Sequence, residues 1–338
     1  MPSPKPVLAH VIGCPAGIAP ELSARMLTDA EITGGARIIV IGDSRILKRG
    51  AEVAGVTLDL PTIRENDAVP AGDGAVLIDV SRLAAEDVRV GQLAKLHGDA
   101  AMANFRKGLE LAQKGVVDAV TFSPFNKASM RLSHPSYEDE VVFMNEFLHF
   151  TGVAQEFNIL PNLWNARVTS HVPISGVAPL ITRANVLRGL RLTHSAMSAA
   201  GFQPPRIAVA GLNPHAGDGG NFGREDMDEI EPAVKDGKAE GIACEGPFPS
   251  DTVFVRARKG EFDAVLTMYH DQGQIAMKLL GFEAGVTALG GYPFPVTTAA
   301  HGSAYDIAGK GIAAPGAMRN AMVIATRMAA AQKTAQAA

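Results

Sequence analysis

A chain of 338 residues with a formal charge of −4 and scattered Lys and Arg has no basic field to attract a polyphosphate backbone, which argues against a nucleic-acid partner. Hydrophobic residues at 47% and charged residues at 20% suit a soluble globular protein, and no window approaches the roughly 18 consecutive apolar residues that a membrane span needs. Two distant cysteines, Cys14 and Cys244, exclude a disulfide framework and a thiolate zinc site; with no leader pattern in MPSPKPVLAHVIG, a reducing, cytoplasmic location is the expectation.

Apolar runs of strand length alternate with longer amphipathic segments along most of the chain, the pattern of βαβ units around a largely parallel sheet, so the fold class is α/β. In chain order the spacing predicts strands over 6–13, 36–42, 75–80, 116–122, 206–212, 263–269 and 286–291. Met102, Phe105, Leu109 and Ala112 recur at helical spacing and predict a core-facing helix over 97–114 that ends near Gly115. Further helices are expected over about 183–200 and after Pro315. The stretch 123–145 carries Pro, Ser and mixed charge and reads as an irregular crossover or a loop over a site. At this length two lobes are expected, and without a clean linker a discontinuous arrangement suits the chain.

Three histidines close strand-like runs: His171 in ARVTSHVPI, His215 in RIAVAGLNPHAG and His270 in FDAVLTMYHDQG. Imidazoles delivered from strand ends can converge on one divalent cation, although a single histidine in such a place more often serves a local hydrogen bond. Asn213 and the glycines at 217, 219, 220 and 223 surround His215, so backbone N–H groups there can approach a ligand, yet no G-x-G-x-x-G stands in register. Asp271, Gln272 and Lys278 follow His270 within one short segment at a strand end, where ligands bind in open α/β sheets. A lysine beside a cation loses its proton more easily and can act as a general base; for an isolated Lys278, a solvated helix position is the commoner reading.

Five motifs, GCPAGIAPEL (13–22), GLNPHAGDGG (211–220), GPFPSDTVF (246–254), YHDQG (269–273) and AAHGSAYDIAGKG (299–311), resemble those of the 4-hydroxythreonine-4-phosphate dehydrogenase family, with its divergent branch acting on terephthalate dihydrodiols. The resemblance implies a two-lobed isocitrate/isopropylmalate dehydrogenase-like fold with a cleft between the lobes: residues 1–125 with 286–338 on the NAD side, and 126–285 carrying the metal ligands and dimer contacts. It implies that His171, His215 and His270 bind one divalent ion (Zn, Mg, Mn or Co), with His270 reaching the site of the neighbouring subunit of a homodimer. It also implies substrate contact by Lys278, an acidic role for Asp251, and binding of NAD, or NADP, along Asn213, Gly219 and Gly220 and near His301, Gly302 and Asp306.

The chain departs from the family at several positions. Met144-Asn145-Glu146-Phe147 stands for a His-Thr-Glu-Phe that contacts substrate, Thr287 for an Asn, Val296 for an Arg that grips phosphate, and Cys14 for a carboxylate. Valine offers no bidentate partner to a dianion. The expected reaction is therefore NAD-dependent oxidation of a secondary alcohol beta to a carboxylate, then loss of CO2, on an unphosphorylated hydroxy acid or an aromatic-dicarboxylate cis-dihydrodiol. The alternatives are 4-phosphohydroxy-L-threonine dehydrogenation in pyridoxal phosphate biosynthesis, a metal-dependent hydrolase with Asp271 or Lys278 as base, and a non-catalytic binding protein.

Overall fold

The computed structural model describes residues 5–80, 83 and 85–337. Packing divides the chain into two units, one holding the residues up to Gly152 together with those from Tyr292 onward, the other Val153–Gly291.

In chain order the first unit contains β1 (Val7–Val11), α1 (Ala19–Thr28), α2 (Ala30–Gly35), β2 (Arg37–Gly42), α3 (Ser44–Ala54), β3 (Thr62–Arg64), β4 (Val76–Asp79), α4 (Lys95–Gln113), β5 (Ala119–Phe122), α5 (Lys127–Ser133) and α6 (Glu140–Phe147). The second contains β6 (Gln155–Leu160), β7 (Leu163–Arg167), α7 (Arg183–Ala199), β8 (Ile207–Ala210), α8 (Glu231–Ala239), β9 (Cys244–Phe248), α9 (Ser250–Arg258), β10 (Ala264–Thr267), α10 (His270–Gly281) and β11 (Val286–Gly290). The chain then returns to the first unit as β12 (Val296–Ala299) and α11 (Gly316–Ala337).

Strands of the first unit run in the order β3-β4-β2-β1-β5-β12, all parallel, which demands the α-helical crossovers that the sequence alternation announces. Leu8, Val11, Ile38, Ile39 and Ile41 are buried on the two faces of β1 and β2, and Phe105 of α4 packs its ring on Phe122 and Phe125. The second unit runs β11-β6-β7-β10-β8-β9. Here β6 is antiparallel to both neighbours, joined to β7 by a tight hairpin, whereas β7, β10, β8 and β9 are mutually parallel. Leu160, Leu163, Val265, Val253, Phe254 and Met277 form one of its apolar clusters, under α9 and α10.

Two expectations change. The segment 123–145 is not irregular: Asn126 accepts a hydrogen bond from Ser129 N to cap α5, and Asp139 accepts one from Val142 N to cap α6. The expected boundaries at 125/126 and 285/286 shift to 152/153 and 291/292. Asn126 bonds Ser303 and Tyr292 bonds Asn145, which keeps 126–152 in the first unit, and pairing with β6 keeps β11 in the second.

Within the first core His10 is fully buried, its ring bonded to Thr121 Oγ1 at 3.0 Å and Ser23 Oγ at 2.9 Å. Desolvation pulls its pKa down to about 4. Below about pH 6.5 the unfolded chain takes up a proton here that the folded chain refuses until about pH 4, so stability is lost as pH falls through that window. We expect the stability advantage of the wild type over His10→Gln, measured by chemical denaturation, to shrink by roughly 3 kcal/mol from pH 7 to pH 4. An advantage that does not change with pH would contradict this account.

Candidate active site

The three histidines singled out by the sequence follow the carboxyl ends of β7, β8 and β10, which are adjacent and parallel in the order β7-β10-β8. Carboxyl ends of neighbouring parallel strands are where open α/β sheets bind ligands. The rings of His171 and His270 come together, with centroids 5.6 Å apart. His215 packs instead near Phe222, at 6.1 Å. Among the described residues no group of three His, Cys, Asp or Glu side chains of one chain is close enough to hold a metal ion.

His270 opens α10, and its Nδ1 lies 2.6 Å from Asp271 Oδ1. An ionised carboxylate only accepts, so Nδ1–H donates to Asp271 and Nε2 is the ring nitrogen left to meet a ligand, the arrangement of a metal-ligating imidazole. The first turn of α10 lies tight against β7: a Cβ on Gly273 would stand 2.1 Å from Asn165 Oδ1. Gln272 joins two strand ends, accepting from Met268 N at 2.7 Å after β10 and donating to Gly211 O at 2.8 Å after β8.

The loop after β8 is held in a strained shape. Residues 215–219 all adopt positive φ, from +44° to +83°, and three of them, His215, Ala216 and Asp218, have side chains that disfavour it. The cost is about 1–2 kcal/mol per non-glycine residue. Buried Asp226 offsets it, since its carboxylate accepts from Leu212 N at 2.9 Å, Asn213 N at 3.1 Å and Asn213 Nδ2 at 2.9 Å. Glu225 also accepts from Asn213 Nδ2 at 2.8 Å, and hydrogen bonds from its own backbone N–H and from Asn213 hold its carboxyl below the usual range. Sequence reading passed over Asp226; the signal was the acidic run REDMDE directly after the glycines.

The remaining candidates are dispersed. Asn213, expected at the cofactor, spends its amide on Glu225 and Asp226 and acts as the anchor of its own loop. Gly219 has open space over its Cα and is required by its φ of +64° rather than by close approach; Gly220 follows at +97°. Asp251 is exposed in the first turn of α9, Lys278 is exposed on α10, and Thr287 is half-buried on β11. His301, Gly302 and Asp306 belong to the other unit, where His301 Nδ1 lies 3.1 Å from Gly302 O. Asn145 of α6 accepts from Tyr292 Oη at 2.8 Å, while Met144 and Val296 are wholly buried.

These strand-end histidines on an α/β frame define a candidate ligand-binding centre, and comparison with known proteins gives the class. The chain belongs to the family described as "Pyridoxal phosphate biosynthetic protein PdxA", whose pattern matches residues 35–325. It is 53% identical over 335 residues to a putative 4-hydroxythreonine-4-phosphate dehydrogenase 2 of Rhizobium meliloti (strain 1021), covering 99% of this chain and 96% of that one. Among solved structures it resembles a 4-hydroxythreonine-4-phosphate dehydrogenase from Burkholderia phymatum, with a TM-score of 0.79, 34% identity and coverage of 96% and 99% of the two chains. A terephthalate 1,2-cis-dihydrodiol dehydrogenase from Burkholderia xenovorans LB400 follows, with a TM-score of 0.69, 28% identity and coverage of 95% and 98%. Likeness to a β-decarboxylating dehydrogenase from Thermococcus kodakarensis, with a TM-score of 0.51, 16% identity and coverage of 94% and 81%, concerns the fold alone. The relatives make this protein an oxidoreductase of the dehydrogenase class.

Removing the Asp226 carboxylate takes their side-chain acceptor from Leu212 N and Asn213 N and leaves Asn213 Nδ2 with Glu225 alone. We expect Asp226→Ala to lose about 3 kcal/mol or more of stability and to raise amide hydrogen exchange selectively over 211–217. Exchange in that loop at the wild-type rate would show that Asp226 does not hold it.

Proposed function

We propose that the protein is a divalent-metal- and NAD-dependent dehydrogenase that oxidises a secondary alcohol beta to a carboxylate, with loss of CO2 to follow. The observation that carries this reading is the delivery of His171, His270 and His215 from three adjacent parallel strand ends, with Asp271 fixing the tautomer of His270. That donor set, neutral imidazoles with one oriented by a carboxylate, fits a divalent cation such as Zn, Mg, Mn or Co. For NAD, or NADP, the candidate contacts are Gly219 and Gly220 in the second unit and, taken by themselves, His301, Gly302 and Asp306 in the first; a Cβ at Gly219 or at Gly302 would meet nothing. A bound ion would supply Lewis acidity toward the substrate hydroxyl, and a bound nicotinamide would supply the hydride acceptor. Lys278 Nζ takes the hydroxyl proton, and Asp251 supplies the second acid–base group. Asp271 accepts from His270 Nδ1–H and so orients the ring.

We further propose a homodimer with the site completed across the two copies. One chain brings only two of the imidazoles together. Beside them α10 exposes Ile275 at 60% and Leu279 at 84%, one helical turn apart, an apolar stripe that a second copy would cover. We expect Leu279→Asp to be folded but monomeric by light scattering and to lose Co2+ binding in solution. Wild-type Co2+ affinity in a monomer would refute a shared site.

For the substrate we propose an unphosphorylated hydroxy acid or an aromatic-dicarboxylate cis-dihydrodiol. Val296 is fully buried in β12, paired with Val120 of β5, so this position presents no cation to a phosphate, and the Asn145 carbonyl is engaged by Tyr292. The name of the Rhizobium relative puts a phosphorylated substrate on that protein, and the name of the Burkholderia xenovorans enzyme an unphosphorylated one. NADH formation with terephthalate cis-dihydrodiol, β-hydroxy acids and 4-hydroxythreonine 4-phosphate separates them. A kcat/KM for the phosphorylated compound of about 10⁴ M⁻¹s⁻¹ or more would show that other residues bind phosphate and would overturn this choice.

A further inference from the structure

Beneath the paired histidines lies a group of buried polar side chains that the reaction above does not use. Asn158 of β6 pairs in register with Asn165 of β7, and Thr267 of β10 with Arg167 at the end of β7, which sets these side chains on one face of the sheet. Asn158 is 6% exposed, Arg167 5%, Asn165 and Thr267 0%, where a core would ordinarily be apolar. Arg167 stands at the centre. Its Nη1 donates to Asn158 Oδ1 at 2.6 Å, its Nε to Ser170 Oγ at 3.0 Å, and its Nη2 lies 2.9 Å from Glu156 Oε2. The same Asn158 Oδ1 accepts from Gln274 Nε2 at 2.7 Å.

Two arms therefore leave one guanidinium. The first reaches Ser170, the residue directly before His171; the second passes through Asn158 to Gln274, one helical turn beyond His270 on α10. His171 sits at a φ of +51°, which costs about 1–2 kcal/mol and persists only where the surroundings over-determine it. Thr169, two residues earlier, adds a side-chain bond to Met268 O at 2.8 Å. A buried ion pair is weak evidence for stability, because well-packed apolar side chains of similar volume often do as well. Its use here is geometric: a planar fork with several fixed donors can hold two separate segments at once, which an ammonium on a flexible stem does poorly.

We propose that Arg167 is a positioning residue of the candidate centre, fixing the His171 turn and the His270 helix relative to one another. The inference rests on the reading of these imidazoles as metal ligands, and its test is arranged so that the two fail separately. The first measurement is imidazole NMR on metal-free protein with labelled histidine. Arg167→Lys, which keeps the charge facing Glu156, should shift the His171 and His270 ring resonances and leave His215 and His194 in place. Ser170→Ala should move His171 alone, and Gln274→Ala should move His270 alone. The double variant Ser170→Ala/Gln274→Ala, with the guanidinium intact, should move both, and it stands in should Arg167→Lys not fold. Unmoved His171 and His270 rings in Arg167→Lys, or a general shift that includes His215 and His194, would overturn the proposal.

The second measurement is Co2+ titration followed by the visible absorption of the bound ion. Arg167→Lys should weaken Co2+ binding by tenfold to a hundredfold and alter the spectrum. Wild-type affinity and spectrum in that variant, with binding abolished by His171→Ala, would count against Arg167. Absence of Co2+ binding in the wild type would instead refute the metal reading, and the ring resonances would still judge Arg167.

Discussion

A parallel strand that leaves its sheet must find new partners for its backbone amides and carbonyls at once, because a buried group without one costs free energy comparable to a lost hydrogen bond. In the second unit that constraint falls at the carboxyl ends of β7, β8 and β10, and polar side chains meet it. Gln272 ties Met268 N to Gly211 O, Asp226 gathers Leu212 N and Asn213 N, and Thr169 reaches Met268 O. The histidines are carried by the segments these bonds fix, so satisfying the strand ends and aiming the imidazoles are one task. Gly273 completes it by letting the first turn of α10 lie against Asn165.

Strain is concentrated in the same places. Two of the three histidines, His171 and His215, have left-handed backbone, a conformation uncommon for any residue but Gly, although His enters it more readily than most. Each is flanked by a buried charged group, Arg167 in one case and Asp226 in the other. Charge-assisted hydrogen bonds are worth about 1.5–3 kcal/mol each, against about 1–2 kcal/mol per strained residue, so a few of them suffice to keep the loops in shape. The apolar cluster under α9 and α10 supplies the rigid base against which this balance is struck.

Much of this was legible in the sequence. Each of the seven expected strands overlaps an observed one, because continuous apolar runs such as RIIVIG and AVLT mark strands buried on both faces. The β6-β7 hairpin was hidden for the opposite reason: in QEFNIL and LWNAR the face carrying Glu156, Asn158, Asn165 and Arg167 is polar though largely buried, so no apolar run appears. The N-caps Asn126 and Asp139 were readable signals of α5 and α6 that the Pro and Ser around them obscured. For the site, strand-end histidines stood out because their residue type is rare at such places. The side chains that hold them did not, since an Asp in an acidic run or an Arg at a strand end looks like surface until tertiary contacts bury it. Val296 shows the converse: sequence comparison marks the substitution, and only the structure shows that the position lies within a core.

The excursion of the chain out of the first unit and back has a consequence for synthesis on the ribosome. Gly290 pairs with Gln155, so the second unit begins and ends at neighbouring points of its own sheet. All six of its strands are in hand once residue 290 has emerged. The first unit still lacks β12, the parallel neighbour of β5, and α11, which buries Met318 and Met322, although β5 was made far earlier. The later segment can thus close as a unit while the earlier one waits with the flank of β5 uncovered, an order of completion that reverses the order of translation.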